Sequence, residues 1–131
     1  MKKIVVLLLL MFSTNVLAEF TEIGGSSDGV QTVYVDFGTI KRKGNKVKMW
    51  SLNDFKAVQS SGNVGFLSTV TLNEYDCEEE TKHFIAIYWY SGNMRQGEVV
   101  TSLTSIKEEP HSLLPGSIED MSLKIACLFK K

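Results

Sequence analysis

Phe84 to Tyr90 is an unbroken apolar run, Phe-Ile-Ala-Ile-Tyr-Trp-Tyr, and no other stretch of the chain restricts its fold as strongly. Read as a strand over Lys82 to Tyr90, it turns Phe84, Ala86, Tyr88 and Tyr90 to one face and Ile85, Ile87 and Trp89 to the other. A strand apolar on both faces belongs in the centre of a sheet covered on both sides. The remaining elements must therefore build that sheet around it.

Period-two alternation supplies them. Gln31 to Phe37 places Val33, Val35 and Phe37 on one face and Thr32, Tyr34 and Asp36 on the other. Lys46 to Leu52 is a second strand, and the Gly44-Asn45 pair predicts a hairpin with its tip over Lys41 to Lys46. Asn53 to Val64 is polar and contains Ser60-Ser61-Gly62-Asn63, so it reads as a loop. Gly65 to Asn73 and Gly97 to Leu103 are further strands, with Ser91 to Met94 as a turn and Phe20 to Gly24 as a short first strand. The end changes character. Ser117, three residues before Asp120, starts a helix whose Ile118, Met121, Ile125 and Leu128 form an apolar stripe. Leu123 and Cys127 fall on another side, so the helix is either buried on two sides or loosened before Cys127. The expected class is α+β: a single antiparallel sheet of about six strands, with a C-terminal helix packed on one face and one disulfide.

The N-terminus decides how the cysteines are read. Lys2 and Lys3 precede the apolar run Ile4 to Phe12, and Val16-Leu17-Ala18 offers a cleavage site, the layout of a signal peptide over 1–18. The mature domain expected over 19–131 then holds 12 basic and 15 acidic residues, so the overall charge of −1 becomes −3. That balance gives no electrostatic footprint for nucleic acid. Export to the periplasm, the medium or the cell surface makes Cys77 and Cys127 a disulfide in preference to a redox or metal pair. Closing their loop is worth roughly 4 kcal/mol in the chain-entropy model. No cysteine follows Ala18, so attachment of lipid to an N-terminal cysteine is not expected.

Catalytic signatures are weak. Gly24 to Gly29 lacks the ending of a phosphate loop, no Gly-x-Ser-x-Gly elbow occurs, and neither His83 nor His111 is spaced to serve a nucleophile. The expectation is a non-enzymatic chain without metal or cofactor. Two clusters of opposite sign stand apart in the sequence: Lys41, Arg42, Lys43, Lys46 and Lys48, and Glu74, Asp76, Glu78, Glu79 and Glu80. The acids read as a solvated turn. The basic cluster either meets sulfated glycans, anionic lipid heads or an acidic protein, or is a solvated hairpin that resists edge-to-edge pairing. Tyr88 and Tyr90 either pack in the core or form an interface with a protein partner or a second copy.

The ordered series Val33-Tyr34-Val35-Asp36, Trp50-Ser51-Leu52-Asn53-Asp54-Phe55, Tyr75-Asp76-Cys77, Tyr90-Ser91-Gly92-Asn93-Met94, Gly97-Glu98-Val99-Val100, Pro115-Gly116-Ser117 and Cys127 resembles the surface-adhesin protein E family of Gram-negative bacteria. The resemblance covers Phe20 to Cys127. It implies a six-stranded antiparallel sheet, a C-terminal helix and a disulfide matching Cys77 and Cys127. It also implies a non-enzymatic adhesin that binds host extracellular-matrix proteins and tends to dimerise. A soluble periplasmic protein that binds or inhibits another protein is the alternative. The matched positions are turn glycines, aromatics and cysteines, so no ligand contact is carried over from the family.

Overall fold

Alternation along the chain is realised as one antiparallel sheet in the computed structural model, which describes residues 19–129; the leader expected over 1–18 lies outside them. The strands are β1 (Thr21–Gly25), β2 (Gln31–Val35), β3 (Lys41–Lys43), β4 (Lys46–Ser61), β5 (Val64–Asp76), β6 (Thr81–Tyr90), β7 (Val99–Leu103) and β8 (His111–Ser112). Six of them follow the order β1-β2-β4-β5-β6-β7, while β3 pairs with β4 and β8 with β6. The helix α1 (Ile118–Leu128) closes the chain. The class is α+β, as the sequence implies.

Several local expectations are corrected. Asn53 to Val64 is not a loop: β4 runs on to Ser61, turns at Gly62-Asn63 and returns as β5. Gly62 sits at φ +62°, a left-handed turn position that glycine occupies without a Cβ clash. The register shifts between Asp54 and Gln59, a bulge that carries the far half of β4 away from the core. Lys56, Ala57 and Val58 are accordingly exposed, and no hydrophobic alternation is needed there. Phe37 leaves the strand for a 3-10 turn, Phe37–Thr39, and its ring packs 5.2 Å from that of Phe129. That turn separates β2 from β3, so the Gly44-Asn45 hairpin joins β3, not β2, to the start of β4. β2 pairs further along β4, with Val35 opposite Ser51 and Gln31 opposite Phe55.

The core lies on one face, where Val35, Val47, Met49 and Tyr75 meet Leu123 and Ala126 of α1. Met121 and Leu128 are solvent-exposed, so the stripe expected at Ile118, Met121, Ile125 and Leu128 is rotated. The Leu123–Cys127 side is the buried one, and the helix stays regular through Cys127 to Leu128. The disulfide fixes this choice: Cys77 and Cys127 are bonded, their Cα atoms 5.7 Å apart, and Cys77 lies just past the end of β5. Ser117 caps the helix by accepting from the Asp120 amide at 3.1 Å. At the other end the Arg42 guanidinium donates to the Cys127 carbonyl at 3.1 Å, the favoured sign of charge for a helix C-terminus.

Candidate functional site

The helix covers one face; on the other, the turn Asn93–Arg95 packs against β4 and β5, and Leu52, Ser68 and Val70 are buried there without a helix. Strand alternation puts Lys46, Lys48, Trp50, Leu52 and Asp54 of β4 on the face opposite Val47 and Met49. The register sets Leu52 opposite Val70 and Val70 opposite Tyr88, while Ser68 faces Tyr90. Tyr88 and Tyr90 therefore join Trp50 on the face without a helix, and β6 is not covered on both sides as its composition suggests. Phe84 does not join them. A bulge in β6 places Ala86 opposite Leu72 but Phe84 opposite Asn73, and this turns Phe84 toward the helix side.

On the face without a helix Trp50, Val70, Tyr88 and Tyr90 line a groove of about 340 Å³ together with Phe20, Asp36, Thr39 and Arg95. The Trp50 and Tyr88 rings lie 6.2 Å apart and tilted. Local chemistry sets the lining. Asp36 accepts from the Gly38 amide at 3.0 Å, and the Thr39 hydroxyl both donates to the Asp36 carbonyl at 2.7 Å and accepts from the Trp50 amide at 3.1 Å. Arg95 comes from the turn Asn93–Arg95, in which Met94 and Arg95 both adopt left-handed backbone, φ 52° and 61°. Such residues cost on the order of 1–2 kcal/mol each and persist only where neighbours hold them. The holders are Asp54 Oδ1, which accepts from the Met94 amide at 2.7 Å, and Ser68 Oγ, which accepts from the Arg95 amide at 3.0 Å. The Ser68 hydroxyl in turn donates to the Gly92 carbonyl at 2.6 Å. The strained turn delivers the Arg95 guanidinium to within 5.9 Å of the Phe20 ring centre, a cation–π distance.

The basic candidates are sorted by the same alternation. Lys41 faces Lys48 and Lys43 faces Lys46 across the β3–β4 hairpin, so these four exposed lysines share the side of Trp50. Arg42 points the other way and is held by the helix end. The lysines and Glu74 border a depression of about 390 Å³. The acidic cluster does not stand apart from them: Glu74 lies opposite Lys48 and Asp76 opposite Lys46 on β5. Asp76 also accepts from the amides of Glu78 and Glu79, both at 3.0 Å, so part of the acidic stretch is a hydrogen-bonded turn. Tyr88, Tyr90 and the lysines, separate candidates in the sequence, thus lie on one face. Trp50, Phe20, Asp36, Thr39 and Arg95 were not legible as site residues. Trp50 stood in a recognisable motif and Arg95 directly follows the Asn-Met turn, but their convergence depends on strand register.

The sequence profile of the family described as surface-adhesin protein E matches residues 20–128, and the chain belongs to that family. Among solved structures, one of Haemophilus influenzae protein E aligns with a TM-score of 0.54 at 13% identity, covering 83% of this chain and 93% of that one. Another, of protein E from non-typeable Haemophilus influenzae, aligns with a TM-score of 0.52 at 16% identity, covering 88% of this chain and 79% of that one. At such identities the likeness is one of fold. No curated protein sequence matches the chain. Among the described residues, no helix is long and apolar enough to cross a membrane.

Proposed function

We propose that this chain is an exported, non-enzymatic adhesin-like module that takes a protein partner on its uncovered face, with host extracellular-matrix proteins as the partner class. The groove that Arg95 lines carries that reading. Aromatic residues, an arginine and absence of a covering helix among the described residues form the arrangement that concentrates binding energy at protein interfaces. The four lysines at the end of the same face add salt-sensitive attraction for an acidic stretch of the partner. Both cysteines of the sequence are joined to one another, so neither thiol is free for lipid attachment. That favours the second reading, a soluble periplasmic protein that binds or inhibits another protein through this face; cell fractionation separates the two.

Solid-phase binding to matrix proteins tests the first reading. Trp50→Ala and Arg95→Glu should each weaken binding at least ~30-fold, the loss typical of a central anchor at ~2 kcal/mol. Binding that survives both substitutions sinks the assignment to this face. A second copy is the competing occupant, and sedimentation equilibrium that shifts with Trp50→Ala would identify a homodimer there.

A further inference from the structure

Four exposed lysines at the β3–β4 hairpin carry charge that no described residue matches. Lys41 stands opposite Lys48 and Lys43 opposite Lys46, so both cross-strand pairs are of like charge. Such pairs destabilise a hairpin. By strand geometry their Cβ atoms mark the corners of a rectangle about 5 Å by about 7 Å. Discouraging edge-to-edge pairing accounts for Lys41 and Lys43, on the outer strand. It does not account for Lys46 and Lys48, because β4 is paired on both sides there, with β3 and with β5.

The acids nearby have other partners or none. Glu74 faces Lys48 and Asp76 faces Lys46 on β5, yet the ion pairs among the described residues, Lys82–Glu119 and Lys124–Asp120, include none of these four. Asp76 Oδ1 instead accepts from the amides of Glu78 and Glu79, each at 3.0 Å, and Glu78 Oε2 accepts from Asn45 Nδ2 at 2.6 Å. Arg42, the remaining cation of the hairpin, is engaged too, since it donates to the Cys127 carbonyl at 3.1 Å. What remains is four unpaired lysines around a depression of about 390 Å³ that Glu74 also lines.

The surroundings of the lysines distinguish three anionic partners. A flat anionic membrane wide enough to meet all four also meets the exposed acids Glu78, Glu79 and Glu80, whose turn is bonded to the hairpin tip through Asn45. A run of carboxylates can lie along the lysines, but it sets like charge against Glu74 at the same depression. A sulfated sugar brings sulfates to the lysines and, on the same rings, hydroxyls that donate to Glu74. Lysine suits this role as a compact point charge, where a planar carboxylate would favour the fork of an arginine. We infer that the β3–β4 hairpin binds a sulfated glycan chain through Lys41, Lys43, Lys46 and Lys48, with Glu74 accepting from its hydroxyls. On the reading that this face meets a matrix partner, the glycan is the acidic part that the lysines draw in, and the aromatic groove takes the protein. The two sites are lined by different residues, so each can fail without the other.

The test is NMR titration of the purified ¹⁵N-labelled protein with a heparin octasaccharide, its desulfated counterpart, a hexaglutamate peptide and phosphatidylserine vesicles. The expected result is a saturable shift of the amides from Lys41 to Lys48 with the octasaccharide, lost as salt is raised toward ~1 M. The paired substitution Lys41→Glu with Lys43→Glu should weaken that binding at least ~10-fold. Lys46→Gln with Lys48→Gln keeps the experiment decisive if the first pair fails to fold. Equal binding of the desulfated counterpart, tighter binding of hexaglutamate or of the vesicles, or undiminished affinity in the substituted pairs overturns the proposal. Solid-phase assays on the same protein separate the two sites: binding to matrix proteins without binding to the octasaccharide keeps the groove and sinks the glycan site, and the reverse result keeps the glycan site alone.

Discussion

Single residues carry the clearest physical signatures in this molecule. Tyr75 is 1% exposed beneath the helix, and burial pushes its phenol well above the ordinary value of 10.0. The unfolded chain ionises that phenol near pH 10 while the folded chain resists. Folding is therefore favoured in full below pH 10, and this contribution is lost as pH rises above it. Urea midpoints of the native protein should fall more steeply between pH 9 and pH 11 than those of Tyr75→Phe, with roughly 1.4 kcal/mol at stake per pH unit crossed; parallel profiles would show that the phenol is not the cause. Asp120 works at the acid end. Its carboxylate accepts from the Gly116 amide and pairs with Lys124 at 3.0 Å, and both hold its pKa below the ordinary carboxylate value. Its contribution is present above that value and fades as pH falls through the lowered one. None of this is visible from residue type: Tyr75 looked like part of a Tyr-Asp-Cys motif, and Asp120 like a helix-start acid.

Elements were legible where one face meets the core and illegible where none does. Gln31–Val35 and Lys46–Leu52 alternate because Val33, Val35, Val47 and Met49 are buried, and those strands were readable. The far half of β4 touches no covering layer, so Lys56, Ala57 and Val58 obey no period and Asn53 to Val64 read as a loop. The helix was found, but its rotation was misjudged. Ile118, Met121, Ile125 and Leu128 share a helical spacing that left the Leu123–Cys127 side open, whereas the covalent tie at Cys127 goes with Leu123 and Ala126 packed onto the sheet. That tie is testable. The paired substitution Cys77→Ser with Cys127→Ser releases a 50-residue span and should lower unfolding free energy by about 4 kcal/mol in guanidinium titrations. A loss below ~1 kcal/mol would mean that α1 is held mainly by Leu123, Ala126 and the Arg42 contact.

At the scale of the whole molecule, the sheet separates two surfaces: a helix-covered face with the core, and an open face with an aromatic groove and four lysines. The sequence showed both charge clusters but not their interleaving, because strand pairing sets Glu74 and Asp76 beside Lys48 and Lys46. Lys41 and Lys43, on the outer strand, have no acid opposite and carry the excess positive charge. Reversing both with glutamate should remove the salt-sensitive part of partner binding while leaving the melting temperature within a few degrees. Raising salt toward 1 M, where the Debye length is ~3 Å, should do the same to the native protein. Binding by the double variant that still falls with salt would assign the attraction elsewhere. The position of α1 has a kinetic consequence. The helix is the last regular element among the described residues, yet Leu123 and Ala126 complete a core begun by Val35 and Val47. A chain emerging N-terminus first therefore shows the apolar floor of its sheet to solvent until α1 arrives. Native folding must wait for α1, and the half-made sheet is the aggregation-prone species that precedes it.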